Sequence, residues 1–204
     1  SLLTIHDLLS RGDHYAVLIE PMQCEGGDRY SSARFHQGLI NLVKGFGIPL
    51  VYDEIQTGFG LGGEFFWHRK FNLQDKDGHP LYPDYIVTAK KAQVGGVLSH
   101  AEIPWVEQFN ATSLTRGYIQ ASLIDQFQSE IERIEKRSRE ELRALMEEFG
   151  SAICRPRVSG MCFAFDFVNS DHLATFIGNR FQHGLLYYPA GKNSARFRFN
   201  LACR

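Results

Sequence analysis

"IPLVYDEIQTGFG", residues 48–60, runs from a continuous apolar stretch into two adjacent acids and then a flexible T-G-F-G. Short apolar runs bounded by turn residues read as strands buried on both faces. Asp53 and Glu54 therefore fall at the mouth of a buried strand, where charge is costly unless a ligand or a partner group answers it. Two other stretches end in the same way. "YAVLIEPM" (15–22) is an apolar run reaching an acid, Glu20, and "PDYIVTAK" (83–90) reaches Lys90, with Lys91 next. Between the first two strands lies "SSARFHQGLINLVKGFG" (31–47), which opens on a serine cap, repeats apolar residues at helical spacing and stops at Gly45 and Gly47. "VGGVLSHAEI" (94–103) supplies a possible fourth strand. Strand, helix, strand in this rhythm predicts an α/β fold with a mostly parallel sheet covered on both faces. Open parallel sheets bind ligands at the carboxyl ends of their strands, so the acids and lysines converging on that edge mark a candidate site.

From about Gly117 the pattern changes. Residues 118–149 contain no Gly or Pro, keep apolar residues three and four apart and interleave opposite charges, which predicts one long amphipathic helix with a solvated face. Beyond Gly150, "GMCFAFDF" (160–167), a helical "SDHLATFIGNRFQHG" (170–184), "LLYYPA" (185–190) and "ARFRFNLA" (195–202) predict a small α+β unit. The expected division is residues 1–117 as part of a large domain and 118–204 as linking helix and small domain.

Composition excludes several classes. Hydrophobic residues at 44% and charged residues at 22% are globular values and argue against disorder. Twenty-two basic against 23 acidic residues leave a net charge of −1, so no global field points to nucleic acid or to anionic lipid. No apolar run approaches a bilayer span, and the first residues lack a signal-peptide pattern, so a cytoplasmic protein is expected. Cys24, Cys154, Cys162 and Cys203 form no C-x-x-C pair and read as reduced structural thiols, with no metal site expected.

"EPMQCEGGD", "VYDEIQTGFG" and "TAKKAQVGG", followed by "NATSLTRG" and "SARFRFNL", stand in this order along residues 20–201. Together they resemble the signature of class III aminotransferases, which depend on pyridoxal 5'-phosphate (PLP) and have fold type I. The likeness is greatest to the branch of lysine 6-aminotransferases and 4-aminobutyrate aminotransferases. Each match is weak singly, and their order gives the resemblance its specificity.

The resemblance implies roles. Asp53 would be the carboxylate against the pyridine nitrogen, keeping it protonated so that the ring accepts an electron pair. Lys91 would be the lysine that holds the cofactor and then carries the proton, with Lys90 its competitor; on a strand only one of two neighbours can face the ring. Gln56 would hydrogen-bond the phenolic oxygen, whereas Glu54 would make an ordinary structural hydrogen bond. Thr115 would reach the cofactor phosphate of a partner subunit, which implies a homodimer; its plain reading is an N-cap of the long helix. Glu25 and Arg196 would form a salt bridge that covers the arginine for an ω-amino donor and releases it for 2-oxoglutarate, with Arg198 as the alternative arginine. The implied reaction moves a terminal amino group from lysine, 4-aminobutyrate or a similar donor to 2-oxoglutarate. The sequence matches only the C-terminal half of such enzymes; the glycine-rich phosphate loop belongs to the other half, and a segment around "QDKDGHPLY" resembles an insertion. A non-catalytic remnant that needs another chain segment to bind cofactor is the alternative.

Overall fold

The computed structural model describes residues 1–103 and 110–201. In chain order the elements are α1 (Leu2–Leu9), β1 (Val17–Ile19), β2 (Met22–Gln23), β3 (Arg29–Tyr30), α2 (Ala33–Phe46), β4 (Leu50–Asp53), β5 (Tyr85–Thr88) and β6 (Gly96–Ser99). There follow α3 (Ala111–Gln126), α4 (Gln128–Phe149), β7 (Ile153–Ser159), β8 (Cys162–Phe167), α5 (Ser170–Asn179), β9 (Tyr188–Ala190) and β10 (Ser194–Arg198). Two 3-10 turns, Trp67–Phe71 and Lys90–Ala92, complete the set. The chain separates into two compact units: Ser1–Pro21, Ser31–Phe59 and Glu64–Ser122 form one, and Met22–Tyr30, Gly60–Gly63 and Leu123–Arg204 the other. Residue 117, the expected boundary, lies inside α3.

The first unit holds a four-stranded sheet in the order β1-β4-β5-β6. β4 is parallel to β1 and to β5, as the strand-helix-strand rhythm predicts, and β6 returns antiparallel to β5. The crossover helix α2 forms where its punctuation puts it. The Ser32 side chain accepts the Phe35 N–H at the N-terminus, and Gly47 ends the helix in the left-handed region at φ 66°. Its buried stripe, His36, Leu39, Ile40 and Val43, has the three- and four-residue spacing of one helical face. On β4 burial alternates: Leu50 and Tyr52 are buried, Val51 and Asp53 half-buried. His36 bonds the Tyr52 hydroxyl across 2.8 Å, so α2 covers the Tyr52 face and leaves Asp53 on the other.

The second unit is built on an antiparallel sheet in the order β7-β8-β10-β9, with β2 and β3 as a separate pair. One face is apolar: Ile153, Phe165, Phe167 and Ala195 pack with Leu142 of α4 and Leu173 of α5. The other face presents Asp166 from β8 and Ser194, Arg196 and Arg198 from β10.

Several expectations are corrected here. The single helix over 118–149 is two helices joined at Phe127, and the first begins at Ala111. Thr115 is therefore inside α3, its hydroxyl donating to the Ala111 carbonyl at 2.9 Å. The cap is Asn110, whose side chain accepts the Thr112 and Ser113 N–H groups. Strand β7 is unanticipated, because "CRPRVS" has the look of a loop; a bulge between Cys154 and Arg157 accommodates the proline. Cys24, Cys154 and Cys162 are free thiols, and Cys203 lies outside the described residues. No helix among the described residues is long and apolar enough to cross a membrane.

Candidate active site

The sequence-predicted residues fall into two sets. Asp53, Gln56, Lys91 and Thr115 belong to the first unit, Glu25 and Arg196 to the second.

Asp53 is the last residue of β4, in register with Val87 of β5. One of its carboxylate oxygens accepts the Ile55 N–H at 3.0 Å, which fixes the side chain at the strand end. Gln56 follows in the turn and is half-buried. Lys91 follows the end of the neighbouring strand, so acid and amine occupy the carboxyl ends of two hydrogen-bonded parallel strands. The strand argument for choosing between the lysines needs correcting: β5 ends at Thr88, and both lysines lie in the 3-10 turn. What separates them is the turn itself. Lys90 (φ 51°) and Gln93 (φ 62°) bracket it in the left-handed region, which leaves Lys90 exposed and Lys91 half-buried. Left-handed non-glycine residues cost about 1 kcal/mol or more each and persist where surrounding structure imposes them. α3 helps to impose this turn. A Cβ on the buried Gly117 would lie 2.5 Å from the Ala92 carbonyl oxygen, so the helix carrying Thr115 approaches the lysine turn through a glycine.

Below this edge is a polar network that the sequence leaves nearly silent. Glu54 is fully buried and accepts four hydrogen bonds, from the Thr57 hydroxyl (2.5 Å), the Trp67 N–H (3.0 Å), the His68 N–H (2.8 Å) and His68 Nδ1 (2.9 Å). One carboxylate thus ties the turn after β4 to the 3-10 turn at Trp67–Phe71. Next to it Ser31 donates to the Pro21 carbonyl (2.6 Å) and contacts His36 Nε2 (2.7 Å). Ser31 has one proton and spends it on Pro21, so His36 Nε2 carries the hydrogen and Nδ1 accepts from Tyr52. Burial, aided by His68, holds the His36 imidazole neutral, lowering its pKa from 6.5 to about 4. Burial and the nearby Glu54 push the Tyr52 hydroxyl up, so it stays a donor.

In the second unit the "CEGGD" turn meets the polar face of the sheet. Glu25 bonds Arg196 at 2.5 Å with one oxygen, and its side chain is 71% exposed against 10% for the arginine. Asp28 is fully buried and holds Arg198 with both oxygens, at 2.5 and 2.8 Å. The two arginines, two residues apart on one face, are thus divided: Arg198 is locked in a bidentate pair with the buried Asp28, and Arg196 has a carboxylate that solvent can reach. Asp28 and Arg198 are separated by 170 positions, and the only trace of their pairing in the sequence is the acid that closes E-G-G-D.

An acid, an amide and a half-buried amine at the carboxyl edge of a parallel α/β sheet suit the ring of PLP: a carboxylate for a pyridinium, a neutral donor for a phenolate, an amine for an aldehyde. The fold and this donor set define a PLP-dependent transferase. Residues 4–204 match the profile of "Aminotransferase class-III", and the chain belongs to that family, whose members depend on PLP. A probable mitochondrial 4-aminobutyrate aminotransferase of Caenorhabditis elegans is 27% identical over 199 residues, covering 93% of this chain and 40% of that protein. The L-lysine-epsilon aminotransferase of Mycobacterium bovis is 28% identical over 202 residues, covering 91% of this chain and 43% of its own length. Among solved structures, lysine aminotransferase from M. tuberculosis superposes with a TM-score of 0.84 at 24% identity, covering 100% of this chain and 49% of that one, which bears on fold. The chain spans less than half the length of these relatives.

Proposed function

We propose that this chain supplies the lysine, acid and amide of a PLP site in an enzyme that transfers a terminal amino group from lysine, 4-aminobutyrate or a similar donor to 2-oxoglutarate. The observation that carries the reading is Asp53 and Lys91 at the carboxyl ends of the adjacent parallel strands β4 and β5. When bound, PLP supplies an electrophilic carbon and an electron sink. The chain's own part is to hold and move protons around it. Asp53 is the anion that keeps a proton on the ring nitrogen, and Gln56 donates to the phenolic oxygen. Lys91 is the base that takes the proton from the substrate carbon and returns it to its neighbour. Thr115, exposed on α3, turns its hydroxyl proton from the Ala111 carbonyl to the phosphate held by a partner subunit, which makes the working form a homodimer.

Glu25 and Arg196 give the enzyme a means of accepting two kinds of substrate. A donor whose reacting end is uncharged meets the Arg196 cation already neutralised, whereas the 2-oxoglutarate carboxylate displaces Glu25 and takes a charge-assisted bond in its place. The exposed Glu25 is the acid that can leave, and Asp28 keeps Arg198 out of the exchange.

Incubating the protein with PLP, reducing with borohydride and mapping peptides is the direct test. The expected result is a single adduct on Lys91, absent from Lys91→Ala. A folded protein that gives no adduct supports instead the remnant that needs another segment to bind cofactor.

A further inference from the structure

The second unit contains a cavity of about 620 Å³ that the transamination residues do not line. Its wall carries Arg29, Arg155, Arg157 and Lys192 against one acid, Asp166. Four cations facing one carboxylate, in a chain whose net charge is −1, concentrate positive charge at one place.

The acid is already spoken for. Asp166 is buried and accepts from Arg157 at 2.7 Å and Ser194 at 2.5 Å, and it pairs with Arg155 as well. Burial alone would raise its pKa, but Ser194 and the two arginines hold it below the usual carboxylate range. Its charge is therefore spent on orienting arginines, leaving Arg29, Lys192 and the excess of the arginine pair to face the cavity. The pairing depends on a local distortion. Arg155, followed by a proline, is held at φ 50°, and the bulge between Cys154 and Arg157 brings two arginines of one strand to the same aspartate. Bulges and strained non-glycine residues of this kind mark places where a side chain has been re-aimed for use. Arg157 also bonds the Gly27 carbonyl, and its Nε is a buried donor without a partner among the described residues.

The floor is backbone. Gly191 N–H donates to the Glu25 carbonyl at 2.9 Å, and a Cβ on Gly191 (φ 56°) would stand 3.1 Å from the Gly26 carbonyl oxygen and Gly27 Cα. Two glycine turns, E-G-G-D and A-G-K-N, are thus packed main chain to main chain, which brings Arg29 and Lys192 to one rim. Glycine turns ringed by arginine forks and a lysine are the chemistry that recognises phosphate oxygens.

We propose that this cavity binds a small phosphate-bearing anion. The reading is independent of the transamination site, none of whose residues lines the cavity.

Titration calorimetry of the intact protein with pyrophosphate, inorganic phosphate and sodium chloride at matched ionic strength tests it. Saturable one-site binding of pyrophosphate is expected, weaker for phosphate and absent for chloride. Arg29→Ala combined with Lys192→Ala, both exposed side chains, should raise Kd at least ten-fold with an unchanged far-UV circular dichroism spectrum. Lys91→Ala should leave Kd unaltered. The proposal fails if pyrophosphate gives no saturable heat, if the double variant binds as the parent does, or if binding disappears with Lys91.

Discussion

His36 is a base that folding keeps neutral, and this gives the protein a predictable acid weakness. Its pKa is about 4 in the folded chain against 6.5 for the free side chain, so between those values the unfolded state binds the extra proton. Stability from this group is present in full above pH 6.5 and declines as pH falls toward 4, by up to about 3 kcal/mol. Urea midpoints measured from pH 7 to 4.5 should fall accordingly, and His36→Gln should flatten that slope. The paired arginines make a second contrast. Asp28→Asn replaces one of the two acceptor oxygens by an amide that cannot accept and removes the negative charge facing the half-buried Arg198 guanidinium, and should cost about 3 kcal/mol. Glu25→Gln, on an exposed acid, should cost less than about 1 kcal/mol in the same denaturation assay. The placement of single residues was legible where charge broke an apolar run: Asp53 ends β4 and Lys91 follows β5. Asp28 and Arg198 were not, because no local pattern ties positions so far apart.

Elements were legible where their ends carry their own chemistry. α2 has a serine at one end and a left-handed glycine at the other, and β4 is an unbroken apolar run. α3 and β7 lacked such marks: the cap of α3 is Asn110, embedded among Thr and Ser residues, and β7 carries a proline beside a bulge. Tertiary contact decides these elements, and Gly117 shows how. The helix interior disfavours glycine by about 1 kcal/mol relative to alanine. The residue is nevertheless required, because a methyl group there would enter the Ala92 carbonyl. Gly117→Ala should therefore destabilise the first unit by about 1–3 kcal/mol despite its better propensity. It should also lower the yield of borohydride-trapped PLP on Lys91, since the turn must shift away from α3. A variant that is more stable and traps PLP equally well would show the approach to be dispensable.

Among the described residues the sheet of the first unit ends in two strands with no further strand beside them, which leads to an expectation about the chain in solution. β1 and β6 are the outer strands of the order β1-β4-β5-β6, and each offers a row of backbone donors and acceptors with no strand beside it among the described residues. They also expose apolar side chains: Leu18 on β1 and Val97 and Leu98 on β6 are all more than 40% accessible. Natural edges are blunted by lysine, proline or a bulge, and Val17–Ile19 and Gly96–Ser99 carry none of these. The 204-residue chain should accordingly associate as its concentration rises, with sedimentation velocity resolving dimers or larger species at micromolar levels. Leu18→Lys together with Leu98→Lys places a charge on each edge without touching a buried side chain, and should return the chain to a monomer with its circular dichroism unchanged. Association that persists in this double variant would shift the cause to the exposed Leu114, Tyr118 and Ile119 of α3. Those residues share a helix with Thr115, so that outcome would favour the partner-subunit geometry its proposed role requires.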